Sequence, residues 1–169
     1  MDFFETIERR YSVRGYKPDP VPDELLERVL ESARLAPTAC NRQPFRIVVL
    51  HTRGREDELA RIYGRGWFTQ APLVLAVVAL TGEAWRNQAG KSYADVDATI
   101  VMDHLILAAT ALGLGTCWVA AFDAQAAREI LALPEGAEPV AFTPLGYAEK
   151  APAGTGRRLL SELVTYERW

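Results

Sequence analysis

Only two cysteines and two histidines occur among the 169 residues of the chain. Cys40 and Cys117 stand far apart and form no CxxC, so neither a disulfide framework nor a thiolate metal site has support. They read as small thiols in a reducing compartment, which makes the cytoplasm the expected location. His51 and His104 lie outside any cluster of metal-ligand spacing, and no metal is expected. Positive charge is not in excess: 19 Lys and Arg face 22 Asp and Glu, a net charge of -3. A nucleic-acid partner therefore has no bulk electrostatic support. Long hydrophobic runs are missing too. The stretch from Pro72 to Leu80 is too short to cross a bilayer, and Ile100 to Leu114 is interrupted by Asp103, His104 and Thr110, so no membrane partner is expected. The opening Met1-Asp2-Phe3-Phe4-Glu5 lacks the basic start of a secretory signal.

The common nucleotide and hydrolase motifs are also absent. No GxxxxGK[ST] occurs. Gly64-Arg65-Gly66-Trp67-Phe68-Thr69 and Gly113-Leu114-Gly115-Thr116-Cys117-Trp118 begin as GxG but lack the third glycine of a dinucleotide fingerprint. Neither GxSxG nor HExxH is found. Any phosphate must therefore be held by arginines.

What is present is a chain with 49% apolar residues, enough for a substantial core and of a length that fits one domain, residues 1–169. Asp2 to Arg9 reads as a helix with Phe3, Phe4 and Ile7 on one face; Asp2 caps it, and Glu5 completes a capping-box pattern. Asp23 to Leu35 is a second helix, striped by Leu25, Leu26, Val29, Leu30 and Ala33 and ended by Pro37. Strands are expected at Phe45 to His51, Leu73 to Leu80, Thr116 to Phe122 and Glu138 to Tyr147. Arg55 to Tyr63 reads as a surface helix, Gly82 to Lys91 as a loop, and Ala124 to Leu131 as a helix. Tyr93 to Leu112 is a long helix, apolar nearly all round in its second half; such a helix is buried on more than one side, and a partner subunit is a reasonable source of cover. Leu159 to Tyr166 alternates as an extended arm. The pattern is α+β or α/β, with helices flanking one sheet.

Four separated segments carry binding chemistry. Arg10, Ser12 and Arg14 follow a helix in an extended stretch, where alternate residues point the same way. Two guanidinium groups and a hydroxyl so placed can grip a phosphate, although a solvated basic turn has the same composition. In Ala36-Pro37-Thr38-Ala39-Cys40-Asn41-Arg42-Gln43-Pro44, small residues let a flat ring approach the backbone, and Asn41 and Gln43 carry amides that donate and accept. Gly113 to Phe122 ends the long helix in a glycine cap and enters a strand. Arg157 and Arg158 precede the tail.

In this order and spacing, from about Phe3 to Tyr166, the four segments resemble the nitroreductase family of flavoenzymes in its short form. The resemblance implies an α+β fold with a central mixed or antiparallel sheet flanked by helices. It also implies an intertwined homodimer with an extended C-terminal arm and FMN at the subunit interface. Arg10, Tyr11, Ser12 and Arg14 would meet the ribityl phosphate and the pyrimidine edge. Pro37, Thr38, Ala39, Asn41 and Gln43 would meet the flavin bound mainly by the other subunit. The backbone of Trp118, Val119, Ala120 and Ala121 would pass flavin N5, and Arg157 and Arg158 would add phosphate contacts. No catalytic side chain is implied, since the cofactor carries the chemistry. NADH or NADPH is the implied reductant, and a nitroaromatic or quinone-like small molecule the implied acceptor. The chain departs from the family at Tyr11, where Arg or His is usual, at Phe45, where Trp is common, and at Ala120-Ala121, where short relatives often have two glycines. A flavin-binding or sensing protein without turnover, or a dehalogenase or dehydrogenase on the same fold, stands as the alternative. Trp67, Phe68 and Trp85 are either core or stacking partners for an aromatic substrate.

Overall fold

The computed structural model describes residues 1–151 and 156–169. Four strands form one antiparallel sheet: β1 (Phe45–His51), β2 (Leu73–Leu80), β3 (Gly115–Thr116) and β4 (Ala137–Gly146), in the spatial order β1-β2-β4-β3. β2 is the centre. Its run of Val, Leu and Ala is buried from Leu73 to Ala79, as expected of a strand covered on both faces. Leu73, Leu75, Val77 and Ala79 face one core with helices α2 (Asp23–Arg34) and α5 (Ala94–Ala111). Val74 and Ala76 face the other, built from Leu59, Ile62, Phe68, Val119, Ala127 and Phe142. Two-residue periodicity thus sorts one strand between two layers.

The helices follow their caps and stripes. The Asp2 carboxylate accepts the Glu5 amide at 2.9 Å and starts α1 (Phe3–Arg9). Asp123 does the same for Ala126 at the start of α6 (Ala124–Ile130). α2 buries Val29 and Ala33 against α5. With 18 residues, α5 runs about 27 Å. Among the described residues no helix is long and apolar enough to cross a membrane.

Several expectations need correction. The Arg55–Tyr63 helix shortens to α3 (Glu56–Ala60), and it is no mere surface element, since Leu59 and Ile62 are fully buried. A further short helix, α4 (Gly66–Gln70), follows; Phe68, buried against Phe142, holds it in place. Phe68 is therefore core, and Trp67 packs with Tyr63. The strand read at Thr116–Phe122 is reduced to Gly115–Thr116 and an isolated Val119–Phe142 bridge. The reason lies in the partner strand. Continuing the register would bring Cys117 opposite Pro144, which has no N–H to give. The Cys117 amide turns instead to Thr143 Oγ1 at 3.0 Å. The tail is not simply extended: it makes one 3-10 turn at Leu160–Glu162. Finally, the apolar face of α1 does not reach the core of its own chain. Phe3, Phe4 and Ile7 are exposed, as are Leu159, Leu160, Leu163 and Tyr166 of the tail.

Candidate functional site

Residues 10–17 form a strap across one end of the sheet. The Val13 amide donates to Thr116 O (2.8 Å), and Ser12 bridges Thr116 in parallel. On the other side, Lys17 N donates to Tyr147 O and Glu149 N to Gly15 O, while the Tyr11 hydroxyl donates to Lys150 O. Beneath the strap Val13 and Tyr16 are buried, and the Tyr16 hydroxyl donates to Val13 O. Gln70 of α4 accepts the Tyr16 amide, a role invisible in the sequence. Two glycines make the fit possible. A Cβ at Gly115 would stand 2.7 Å from Val13 Cγ2, and one at Gly146 would stand 2.8 Å from Pro72 Cδ.

This geometry brings the first and third segments together. The thiol of Cys117 is pushed up by burial, while Arg14, the Ser12 side chain and Arg10 work to lower it. Both guanidinium groups therefore lie within electrostatic reach of the same buried sulfur. Burial likewise pushes the Tyr16 phenol well above its ordinary range, Cys117 and Tyr11 adding to the effect and Arg14 opposing it. Among the described residues, neither Arg10 nor Arg14 is in an ion pair, a state they share with several other arginines of the chain. Two guanidinium groups outside any ion pair, on a strap that closely covers glycine, can serve a bound anion. A cleft of about 290 Å3 is lined in part by Arg9, Tyr11, Gly113, Gly115 and Ala148, and neither Arg10 nor Arg14 lines it. Trp118, Ala120 and Ala121 are exposed on the loop leaving β3, while Val119 is buried in the core.

The second segment lies elsewhere. Pro44 O accepts the Leu80 amide and Phe45 pairs with Ala79, so the loop from Pro37 to Pro44 sits at the far end of β2 from Leu73. The strap meets the sheet near Leu145 and Gly146, which neighbour Leu73. Eight residues of β2 put the two ends roughly 23 Å apart. The loop is held locally. Thr38 Oγ1 accepts the Gln43 amide, and the Gln43 side-chain amide donates to Asn41 O and Oδ1. Cys40, Asn41 and Gln43 all have φ of 52°, a left-handed backbone that non-glycine residues adopt at a cost. The loop leaves Asn41 and Gln43 exposed. It is anchored by a residue that the sequence reading passed over: the Ala39 amide donates to the buried carboxylate of Asp97 at 2.9 Å. An acid at a core position of α5, between Ala94 and Val101, was the available signal. Arg157 and Arg158 are exposed, and Arg158 pairs with Glu162 of the tail.

Comparison with known proteins identifies the family and the fold. The model of the Nitroreductase family matches residues 7–65 and 59–147. The crystal structure of a nitroreductase family protein from Clostridium difficile 630 superposes with a TM-score of 0.91 at 36% identity, covering 100% of both chains. An NADH dehydrogenase of Thermus thermophilus is 31% identical over 94% of this chain and 92% of its own length. An FMN reductase [NAD(P)H] of Bacillus subtilis is 28% identical over 92% of this chain and 69% of its own. The chain belongs to the nitroreductase family.

Proposed function

We propose that the protein is an FMN-dependent oxidoreductase. It takes electrons from NADH or NADPH and delivers them to a quinone or nitroaromatic acceptor, with two composite sites in a homodimer. The observation that carries this reading is that Arg10, Ser12 and Arg14 share a strap whose Val13 packs on Gly115 and hydrogen-bonds Thr116, with neither guanidinium in an ion pair among the described residues. The donor set fits a phosphate and the polar edge of a flat heterocycle. Bound FMN would supply the two-electron transfer between nicotinamide and acceptor. Arg10 and Ser12 hold the phosphate end, and Arg14 places positive charge where negative charge grows during reduction. Arg157 and Arg158 would add phosphate contacts, and the backbone of Trp118, Val119, Ala120 and Ala121 would border the reacting edge. The protein names no essential acid: its residues orient and stabilise.

Dimerisation is supported by the separation of the half-sites. Asn41 and Gln43, at the far end of the sheet, meet a flavin only if a second copy presents them. Exposed Phe3, Phe4 and Ile7 of α1, together with the apolar tail, supply the surface that two copies would cover.

The test is optical and kinetic. FMN-loaded protein should be yellow and should oxidise NADH or NADPH when a quinone is added. Arg14→Ala should lose flavin affinity by the worth of one charge-assisted bond, ~1.5–3 kcal/mol. Bound flavin without turnover would make this a flavin carrier or sensor, and wild-type protein that takes up no FMN would end the reading.

A further inference from the structure

Asp97 is a carboxylate at a core position, only 2% exposed. It lies in the first turn of α5, where the helix end favours negative charge. One oxygen accepts the Ala39 amide at 2.9 Å. The other, Oδ2, is buried and has no partner among the described residues. Ala94, Ala98 and Val101 of the same helix are buried in the core. A half-satisfied buried carboxylate is costly for stability, and an apolar side chain of similar size would serve packing better. What Asp97 does that an apolar residue does not is hold Ala39.

Ala39 opens the 3-10 turn Ala39–Asn41, in which Cys40 has φ 52° and ψ 25°. Asn41 and Gln43 share that φ. Three left-handed non-glycine residues in four positions persist only where surrounding contacts over-determine them. The other restraints come from the loop itself (Gln43 N to Thr38 Oγ1, Asn41 N to Thr38 O) or from Pro44 O and the Arg42 side chain beyond the turn. Among the described hydrogen bonds, Asp97 is the link that ties the turn to the rigid long helix. The opposite end of that helix leads into Gly113–Thr116, the floor of the arginine strap.

We propose that Asp97 is a positioning residue. Its carboxylate clamps the Ala39–Gln43 turn to α5, so that the Asn41 and Gln43 amides are held in the geometry that a flavin in the second subunit requires. The loop clamp stands on the hydrogen bond and the strained backbone; the flavin half rests on the FMN reading above.

Hydrogen exchange and flavin titration test the two halves separately, on the full-length protein. Asp97→Ala should speed amide exchange across residues 38–43 by about tenfold or more, with exchange in β2 unchanged, and should weaken FMN binding by a similar factor. Asp97→Asn keeps an acceptor for Ala39 N–H and should retain most loop protection and most affinity. Val101→Ala, one helical turn away in the same core, is the control for lost packing and should leave both readouts near wild type below its melting temperature. Loop protection that survives Asp97→Ala, or is lost equally in Val101→Ala, overturns the clamp. A loop that opens while FMN affinity stays constant overturns the flavin half alone. Wild-type protein that binds no FMN instead refutes the functional reading and leaves the exchange result to judge the clamp.

Discussion

The Gly115→Ala substitution tests the strap most directly. Gly115 has no need of glycine for its backbone angles, so the effect of a methyl is steric. The new carbon would stand 2.7 Å from Val13 Cγ2, 3.1 Å from Val13 Cβ and 3.2 Å from Val13 Cγ1. Val13 is buried beside Tyr16 and Ala71 and has little room to retreat. Overpacking of this kind costs ~1–3 kcal/mol, and a strap lifted from β3 loses the Val13 N to Thr116 O bond, worth ~1 kcal/mol net. The single variant should therefore lose ~2–4 kcal/mol in urea unfolding, with the midpoint lowered and the slope unchanged. It should also bind FMN more weakly, because Arg10, Ser12 and Arg14 travel with Val13. The companion change Val13→Ala removes the two clashing methyls and on its own costs ~1.5–3 kcal/mol in lost burial. If the collision is the cause, the double variant will fall only a little below Val13→Ala alone, since only the 3.1 Å contact with the Cβ of residue 13 remains, a coupling of ~2 kcal/mol between contacting residues. Strict additivity, or a Gly115→Ala protein as stable as wild type, would refute the steric account of the strap.

Two other outcomes are expected. The folded chain keeps the Tyr16 phenol protonated well above its ordinary value of 10.0, whereas the unfolded chain releases that proton near it. Stability should therefore be fully present below pH 10 and fall above it, by up to about 1.4 kcal/mol per pH unit. In Tyr16→Phe, thermal melts across alkaline pH should show a shallower decline, together with a loss of ~1–3 kcal/mol at pH 7 from the orphaned Val13 carbonyl; an identical alkaline profile would contradict it. Deleting Leu159–Trp169, none of which is buried, should leave the circular dichroism of the fold intact while sedimentation velocity shifts from dimer to monomer; a truncated chain that still sediments as a dimer would place the interface elsewhere.

Much of the fold was legible because its signals are local. The unbroken Val-rich run Leu73–Leu80, the stripe of α2 and the Asp2 cap each state a physical requirement in a few adjacent residues. The failures came where a distant residue decides. Pro144 ends β3, and the burial of Leu59 and Phe68 depends on a second core layer that no window of sequence displays. The site was half legible in the same sense. Arginines and amides could be read off as chemistry, yet their placement at opposite ends of the sheet follows from strand register. Asp97 was missed because an acid in the first turn of a helix is so ordinary that its burial is the only sign of a task.

The distance between the arginine strap and the amide loop has a genetic corollary. When one catalytic unit is assembled from different ends of two chains, two crippled alleles can repair one another. On the proposed dimer, a chain altered at Arg14 and a chain altered at Gln43 would each hold flavin poorly alone. Mixed, refolded pairs would contain one unit carrying both lesions and one carrying neither, so random pairing restores about a quarter of the native complement.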